Sequence, residues 1–205
     1  MDPFSLKAIA LAWSFRRELY YVTLTFLLIL LLPIIAVFTI ANTGTEVVSN
    51  ALVKVNATTH GIEIKDPVTG KVIKEIFPQT VWPVVGIVTL EFGASDLPYQ
   101  PFHTGIDIAN PQGKIGDLIS PVMDGTVTFV GHLNWGYGNH VIIDHGNNIT
   151  SLYGHMDSVF VNVGQRVHIG DALGTEGMTG WATGPHLHFE TRIDGIPVDP
   201  RTFLQ

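Results

Sequence analysis

The chain has 205 residues, 46% of them hydrophobic and 14% charged, with a net charge of −7. That length allows one domain of ordinary size and something smaller, and the acidic balance argues against a nucleic-acid binder, which needs a basic face to neutralise phosphates. There are no cysteines, which excludes thiol nucleophiles, zinc–thiolate sites and disulfides together, while eight of the nine histidines fall between His103 and His188. An imidazole-rich, cysteine-free segment points to a metal site of nitrogen and oxygen donors.

Residues 1–19 are mixed, with Lys7, Arg16 and Arg17 the basic groups. Leu6, Ile9, Ala10, Trp13 and Leu19 could form the apolar stripe of a short helix lying at a membrane surface. Val22 to Ala41 carries no charge. Twenty such residues in a helix rise about 30 Å, the hydrocarbon thickness of a bilayer. Residues 20–41 are therefore expected to form a single transmembrane helix. A cleaved signal peptide is the competing reading, but its apolar region is shorter, and Thr39-Ile40-Ala41 is a mediocre cleavage site. Arg16 and Arg17 precede the run and the next basic residue is Lys54. The positive-inside rule then leaves the N-terminus in the cytoplasm and residues 42–205 outside the cytoplasmic membrane.

Asn42-Thr43-Gly44 reads as a turn that opens a connecting region, 42–80. Within it, two alternating runs, Gly61–Lys65 and Lys71–Ile76, flank Asp66-Pro67-Val68-Thr69-Gly70, a hairpin pattern. His60 reads as an exposed loop residue. From Val81 the chain breaks into short β runs punctuated by glycine: Val84–Leu90, Gly125–Val130, His140–Asp144 and Thr150–Tyr153. Many short strands at close spacing predict an all-β domain of antiparallel sheets over 81–205.

Two stretches carry the chemistry. In Gly184-Pro185-His186-Leu187-His188-Phe189-Glu190, strand alternation puts His186, His188 and Glu190 on one face, with Leu187 and Phe189 on the other. In Phe102-His103-Thr104-Gly105-Ile106-Asp107-Ile108, it puts His103, Gly105 and Asp107 together, with Thr104, Ile106 and Ile108 opposite. Neither pattern means much alone. Together they offer three histidines and a carboxylate, enough for a catalytic zinc with an open position. Leu152-Tyr153-Gly154-His155 adds an imidazole at the end of a β run.

These stretches, with Trp82-Pro83-Val84-Val85-Gly86, Phe92-Gly93, Gly125-Thr126-Val127, Tyr137-Gly138-Asn139, Asp144-His145-Gly146, Val163-Gly164-Gln165-Arg166-Val167 and Gly170-Asp171, resemble the M23 family of zinc endopeptidases, the lysostaphin-like and LytM-like enzymes that cut peptide bonds in peptidoglycan. The resemblance runs in order from Trp82 to Phe203. It implies a lysostaphin-like (duplicated hybrid motif) fold, one Zn²⁺ per chain bound by His103, Asp107 and His188, and His155 and His186 as catalytic histidines. Which of the two is the base stays open. The resemblance also implies peptidoglycan peptides as partner. The alternative is a non-catalytic wall-binding or assembly component whose N-terminal segment docks other envelope proteins. The copy departs from the family at His140 and in the loop of Trp181.

Other residues divide by their surroundings. Glu190 reads as a carboxylate that orients a ligand histidine, or equally as a structural group. Tyr137, Asn139 and Trp181 are candidates for groove walls. His145 reads as a turn residue, and His132 and His168 as exposed.

Overall fold

The computed structural model describes residues 3–94 and 102–204, and two units separate at Gly44/Thr45. Helix α1, Pro3–Leu52, runs for 50 residues. Its described side chains from Arg16 to Pro33 are exposed, including Leu19, Phe26, Leu27, Ile29 and Leu32. Among the described residues no helix is long and apolar enough to cross a membrane. The expected span 20–41 continues beyond Pro33 into residues whose side chains, apart from Ala36, lie outside the described set.

The turn read at Asn42-Thr43-Gly44 is absent, and the backbone stays helical to Leu52. Local turn propensity is a weak prior, and here an apolar anchor outweighs it. Ser49 and Leu52 are buried at the end of the helix, and Val48 packs against the core of the second unit.

In that unit, β1 (Val53–Val55), β2 (Ile62–Lys65) and β3 (Val72–Ile76) form a small antiparallel sheet. The turn between β2 and β3 is held by Asp66, whose carboxylate accepts the backbone N–H groups of Val68 and Thr69. The remaining strands are β4 (Ile87–Leu90), β5 (Ile106–Ala109), β6 (Leu118–Ile119), β7 (Gly125–His132), β8 (Asn139–Asp144), β9 (Ile149–Met156), β10 (Ser158–Val159), β11 (Arg166–Val167), β12 (Gly174–Thr175), β13 (Leu187–Ile193) and β14 (Ile196–Val198). Eight of them build one antiparallel sheet in the order β11-β7-β8-β9-β13-β5-β4, with β14 paired to β13, and β10-β12-β6 form a third sheet. The expected antiparallel β domain is what folds here.

Period-2 alternation explains the core. Ile106 and Ile108 of β5, Val141 and Ile143 of β8, Ile149 and Tyr153 of β9, and Leu187, Phe189 and Ile193 of β13 project to one face and bury together. A bulge between Val127 and Phe129 lets β7 turn both Val127 and Val130 towards this core while Phe129 stays half exposed. Tyr153 packs on Phe189 at 5.4 Å between ring centroids, and its hydroxyl accepts the N–H of Val122. The opposite face of the central strands is left for polar chemistry.

Candidate active site

Strand β13 places His188, Glu190 and Arg192 on the face away from the core. Its register sets His188 opposite Asp107 of β5 on one side and Gly154 of β9 on the other. Imidazole and carboxylate thus stand side by side because two neighbouring strands are paired there. His103 arrives differently. The expected strand 102–108 begins only at Ile106, so His103 and Thr104 sit in the approach to β5, and alternation does not govern them. Gly105 makes that approach feasible, since a Cβ there would lie 2.2 Å from the Phe189 carbonyl oxygen.

The three groups converge. His103 Nε2 lies 3.0 Å from His188 Nδ1 and 3.1 Å from Asp107 Oδ1, and His188 Nδ1 lies 2.9 Å from the same oxygen. Each imidazole has its other nitrogen engaged. His103 Nδ1 is 3.2 Å from the Glu91 carbonyl oxygen, and His188 Nε2 is 3.0 Å from Glu190 Oε1. Both acceptors require an N–H, so the lone pairs are left on His103 Nε2 and His188 Nδ1, the atoms that face Asp107. Two imidazole nitrogens and a carboxylate oxygen suit a divalent ion of the zinc type. Ligands of a tetrahedral zinc with bonds of about 2.0–2.1 Å stand about 3.3 Å apart, close to these separations. Burial works to raise the pKa of Asp107, but the His103 and His188 imidazoles beside it hold it well below the usual carboxylate range. For His188, burial opposes a charge, yet Asp107 and Glu190 raise its pKa. The surroundings favour a cation at this place.

Two further imidazoles border the cluster. His155, on β9, has φ of 60°, a left-handed conformation that costs of order 1–3 kcal/mol in a non-glycine residue and concentrates at functional sites. Its N–H donates to the Tyr137 carbonyl, and its ring packs edge-on to His186 with centroids 4.8 Å apart. His186 stands just before β13, bridged to Gly177, with Nε2 3.5 Å from Asp107 Oδ2. Nδ1 of His155 donates to the Thr179 carbonyl and Nδ1 of His186 to that of Gly184, so both rings keep a lone pair on Nε2. Burial first, and then the neighbouring His186 and His188, hold the His155 pKa down to about 4.

Glu190 is 0% exposed and fully partnered. Oε1 accepts from His188, Thr104 and the Tyr137 hydroxyl, and Oε2 from Arg192 at 2.7 Å. Burial pushes its pKa up, but His188, Arg192 and Thr104 together bring it down to about 2. Burial and Glu190 push Tyr137 up to about 12, so its hydroxyl stays a donor. Thr104, expected on the core side, reaches Glu190 because it precedes the strand. Tyr137 and Thr104 lie too far along the chain for spacing to have shown this network. Arg192 could have been found by extending the alternation two residues past Glu190.

Comparison with known proteins adds the lineage. The Peptidase family M23 model matches residues 101–200. The DD-carboxypeptidase/endopeptidase Mpg of Neisseria meningitidis is 48% identical over 98 residues, 48% of this chain and 22% of that protein. The murein hydrolase activator NlpD of Escherichia coli is 39% identical over 123 residues, 60% of this chain and 30% of that one. The crystal structure of the catalytic domain of the prophage-encoded M23 protein EnpA from Enterococcus faecalis is 35% identical, covers 57% of this chain and 89% of that one, and superposes with a TM-score of 0.51. The chain belongs to peptidase family M23. It spans less than a third of the length of these two curated relatives.

Around this M23 site the other sequence candidates sort themselves. Tyr137 and Trp181 line a cavity of about 460 Å³ that opens on His155 and His188. Asn139 is instead structural, since its amide donates to the Met156 carbonyl and its N–H to Thr179 Oγ1. His140 is buried beneath Phe129 and Tyr137. His145 bridges the Asp124 carbonyl and Ser151 Oγ, a structural pin outside the site. His132 and His60 are exposed, as is His168 beside Asp171. Trp135, which the sequence reading passed over, stands next to Trp181 with ring centroids 6.2 Å apart.

Proposed function

We propose that this M23 protein is a zinc endopeptidase that hydrolyses peptide bonds in peptidoglycan stems or cross-bridges. The observation that carries the reading is the convergence of His103, Asp107 and His188 beside a second imidazole pair, His155 and His186. In this proposal the first three hold one Zn²⁺ per chain. Bound there, the ion supplies a Lewis acid that polarises the scissile carbonyl and makes water nucleophilic near neutral pH.

The chain's own groups do the rest. His155, neutral at pH 7, accepts a proton from the attacking water at Nε2. His155 then returns that proton from Nε2 to the leaving amine as the C–N bond breaks, and His186, when protonated at Nε2 beside Asp107, hydrogen-bonds the oxyanion. Glu190 fixes the tautomer of His188, and the Glu91 carbonyl does the same for His103. The membrane-anchored placement belongs to the same proposal: residues 20–41 hold the chain in the cytoplasmic membrane with the enzyme domain outside. It draws on the helical backbone through this segment and on the charge-free run from Val22 to Ala41.

The test is release of muropeptides from purified sacculi by the full chain, with and without a chelator. Release that ignores the chelator contradicts the proposal. A second reading, a non-catalytic wall-binding component that acts through other envelope proteins, draws on the likeness to a murein hydrolase activator. It expects the chain to bind sacculi and carry zinc without releasing any fragment.

A further inference from the structure

Strand β9 reaches the site through an irregularity. Its register against β8 shifts between Asn139 and Val141, which oppose Met156 and Tyr153, so Gly154 and His155 together face His140 alone. The extra residue makes a β-bulge, a device that re-aims side chains beside functional sites. His155 takes its left-handed φ of 60° there. Among the described residues, the other non-glycine positions with positive φ are His60, Asn147, Asn148 and Asp194, which stand between strands, whereas His155 lies inside one. Such strain persists only where the surroundings over-determine the backbone.

Thr179 supplies much of that determination. Its hydroxyl accepts the Asn139 N–H at 2.9 Å and donates to the Met156 carbonyl at 2.8 Å. Asn139 and Met156 are the register partners that close the bulge, so one hydroxyl, accepting on one side and donating on the other, clasps the two strands next to His155. The fit is close, since a Cβ on Gly138 would lie 2.4 Å from Thr179 Oγ1. The main chain of the same residue meets the imidazole. The Thr179 carbonyl accepts from His155 Nδ1 at 2.8 Å, which leaves the ring lone pair on Nε2. The side chain therefore fixes the backbone that aims His155, while the carbonyl fixes the tautomer. A valine would fill the same space, but it can neither accept nor donate.

We propose that Thr179 is a positioning residue for His155: its hydroxyl clasp on the β8–β9 bulge holds in place the carbonyl that keeps the His155 proton on Nδ1 and the Nε2 lone pair free for the attacking water. The proposal deepens the endopeptidase reading and rests on it. Without the clasp the bulge relaxes, the carbonyl moves away from Nδ1, and the ring takes either tautomer. A misplacement of about 1 Å can cost a factor of about 100 in rate.

The experiment pairs nitrogen NMR of the His155 imidazole with the initial rate of muropeptide release from purified sacculi, using the zinc-loaded full chain in detergent. In the unmutated chain the ring proton should sit on Nδ1. Thr179→Val should keep near one zinc per chain, mix the two His155 tautomers and lower the rate by about 10–100-fold. Thr179→Ala should do the same, and serves if the valine variant does not fold. Thr179→Ser, which restores the hydroxyl, should recover the single tautomer and most of the rate. A merely structural threonine would change the folded fraction and leave the tautomer of the folded molecules alone. A proton on Nε2 in the unmutated chain, a single Nδ1–H tautomer in every folded variant, or a serine variant as impaired as the valine one overturns the proposal. If the tautomer follows the hydroxyl while the unmutated chain releases nothing, the positioning role stands and the endopeptidase reading falls.

Discussion

Two buried glutamates separate the site from the scaffold. Glu190, on β13, and Glu176, just after β12, are both 0% exposed, yet their surroundings differ. Glu190 has four donors on its two oxygens and a pKa brought down to about 2. Among the described residues Glu176 has one long contact, the Asn110 N–H at 3.4 Å, while its Oε2 has no partner. Burial and the nearby Asp117 raise its pKa. Burying a carboxylate is tolerable in both ways, either by supplying donors or by favouring the protonated form. Only the first keeps a permanent negative charge. That charge is spent where an imidazole must hold its proton on one nitrogen, behind the cluster of His103, Asp107 and His188.

The sharpest break in this comparison is removal of Glu190. Glu190→Ala leaves Arg192 and the His188 N–H without their acceptor, and is expected to cost about 3–5 kcal/mol in stability, read by denaturant unfolding. Glu190→Gln keeps the shape and should lower zinc affinity 10–100-fold, measured by competition with a coloured chelator. Unchanged zinc affinity in the glutamine variant would separate Glu190 from the site.

At Glu176 the sign reverses. Glu176→Met removes a buried carboxyl group with an unpartnered oxygen and should stabilise the domain at pH 7 by about 1 kcal/mol. The pH dependence distinguishes the two carboxylates. Glu190 has a depressed folded pKa, so its contribution is complete above the unfolded value near 4.5 and fades as pH falls towards 2. Glu176 has a raised one, so the penalty it imposes at neutral pH shrinks as pH falls through that raised value. Unfolding curves of the metal-free variants between pH 7 and 3 read both trends, and parallel trends would break the contrast.

The smallest effect belongs to the exposed pair of Glu91 and Arg201, 2.6 Å apart at the surface. Glu91→Gln should change stability by less than about 1 kcal/mol, and less still in high salt. The carbonyl of Glu91, not its carboxylate, touches His103, so zinc affinity should not move.

The legible parts of the molecule were those governed by local period. Strands around 125–130, 140–144 and 150–153 follow from alternation, and His103, Asp107, His186 and His188 stood out because two short motifs gather them. What the sequence hid depends on distant partners. The helix runs through Asn42-Thr43-Gly44 because Leu52 finds a core. Thr104 crosses to the polar face because β5 starts late. Glu190 could not be told from a structural residue until Tyr137 and Thr104 were seen to converge on it. Trp135 carries no local signal of its own and gains meaning only beside Trp181 and the cavity they rim.

The division of labour between His188 and His186 is tested most directly by measuring zinc content and muropeptide release for the two alanine variants side by side. His188→Ala should lose both zinc and turnover. His186→Ala should keep near one zinc per chain and lose turnover. Two variants with the same zinc content, or full release by His186→Ala, would contradict the assignment.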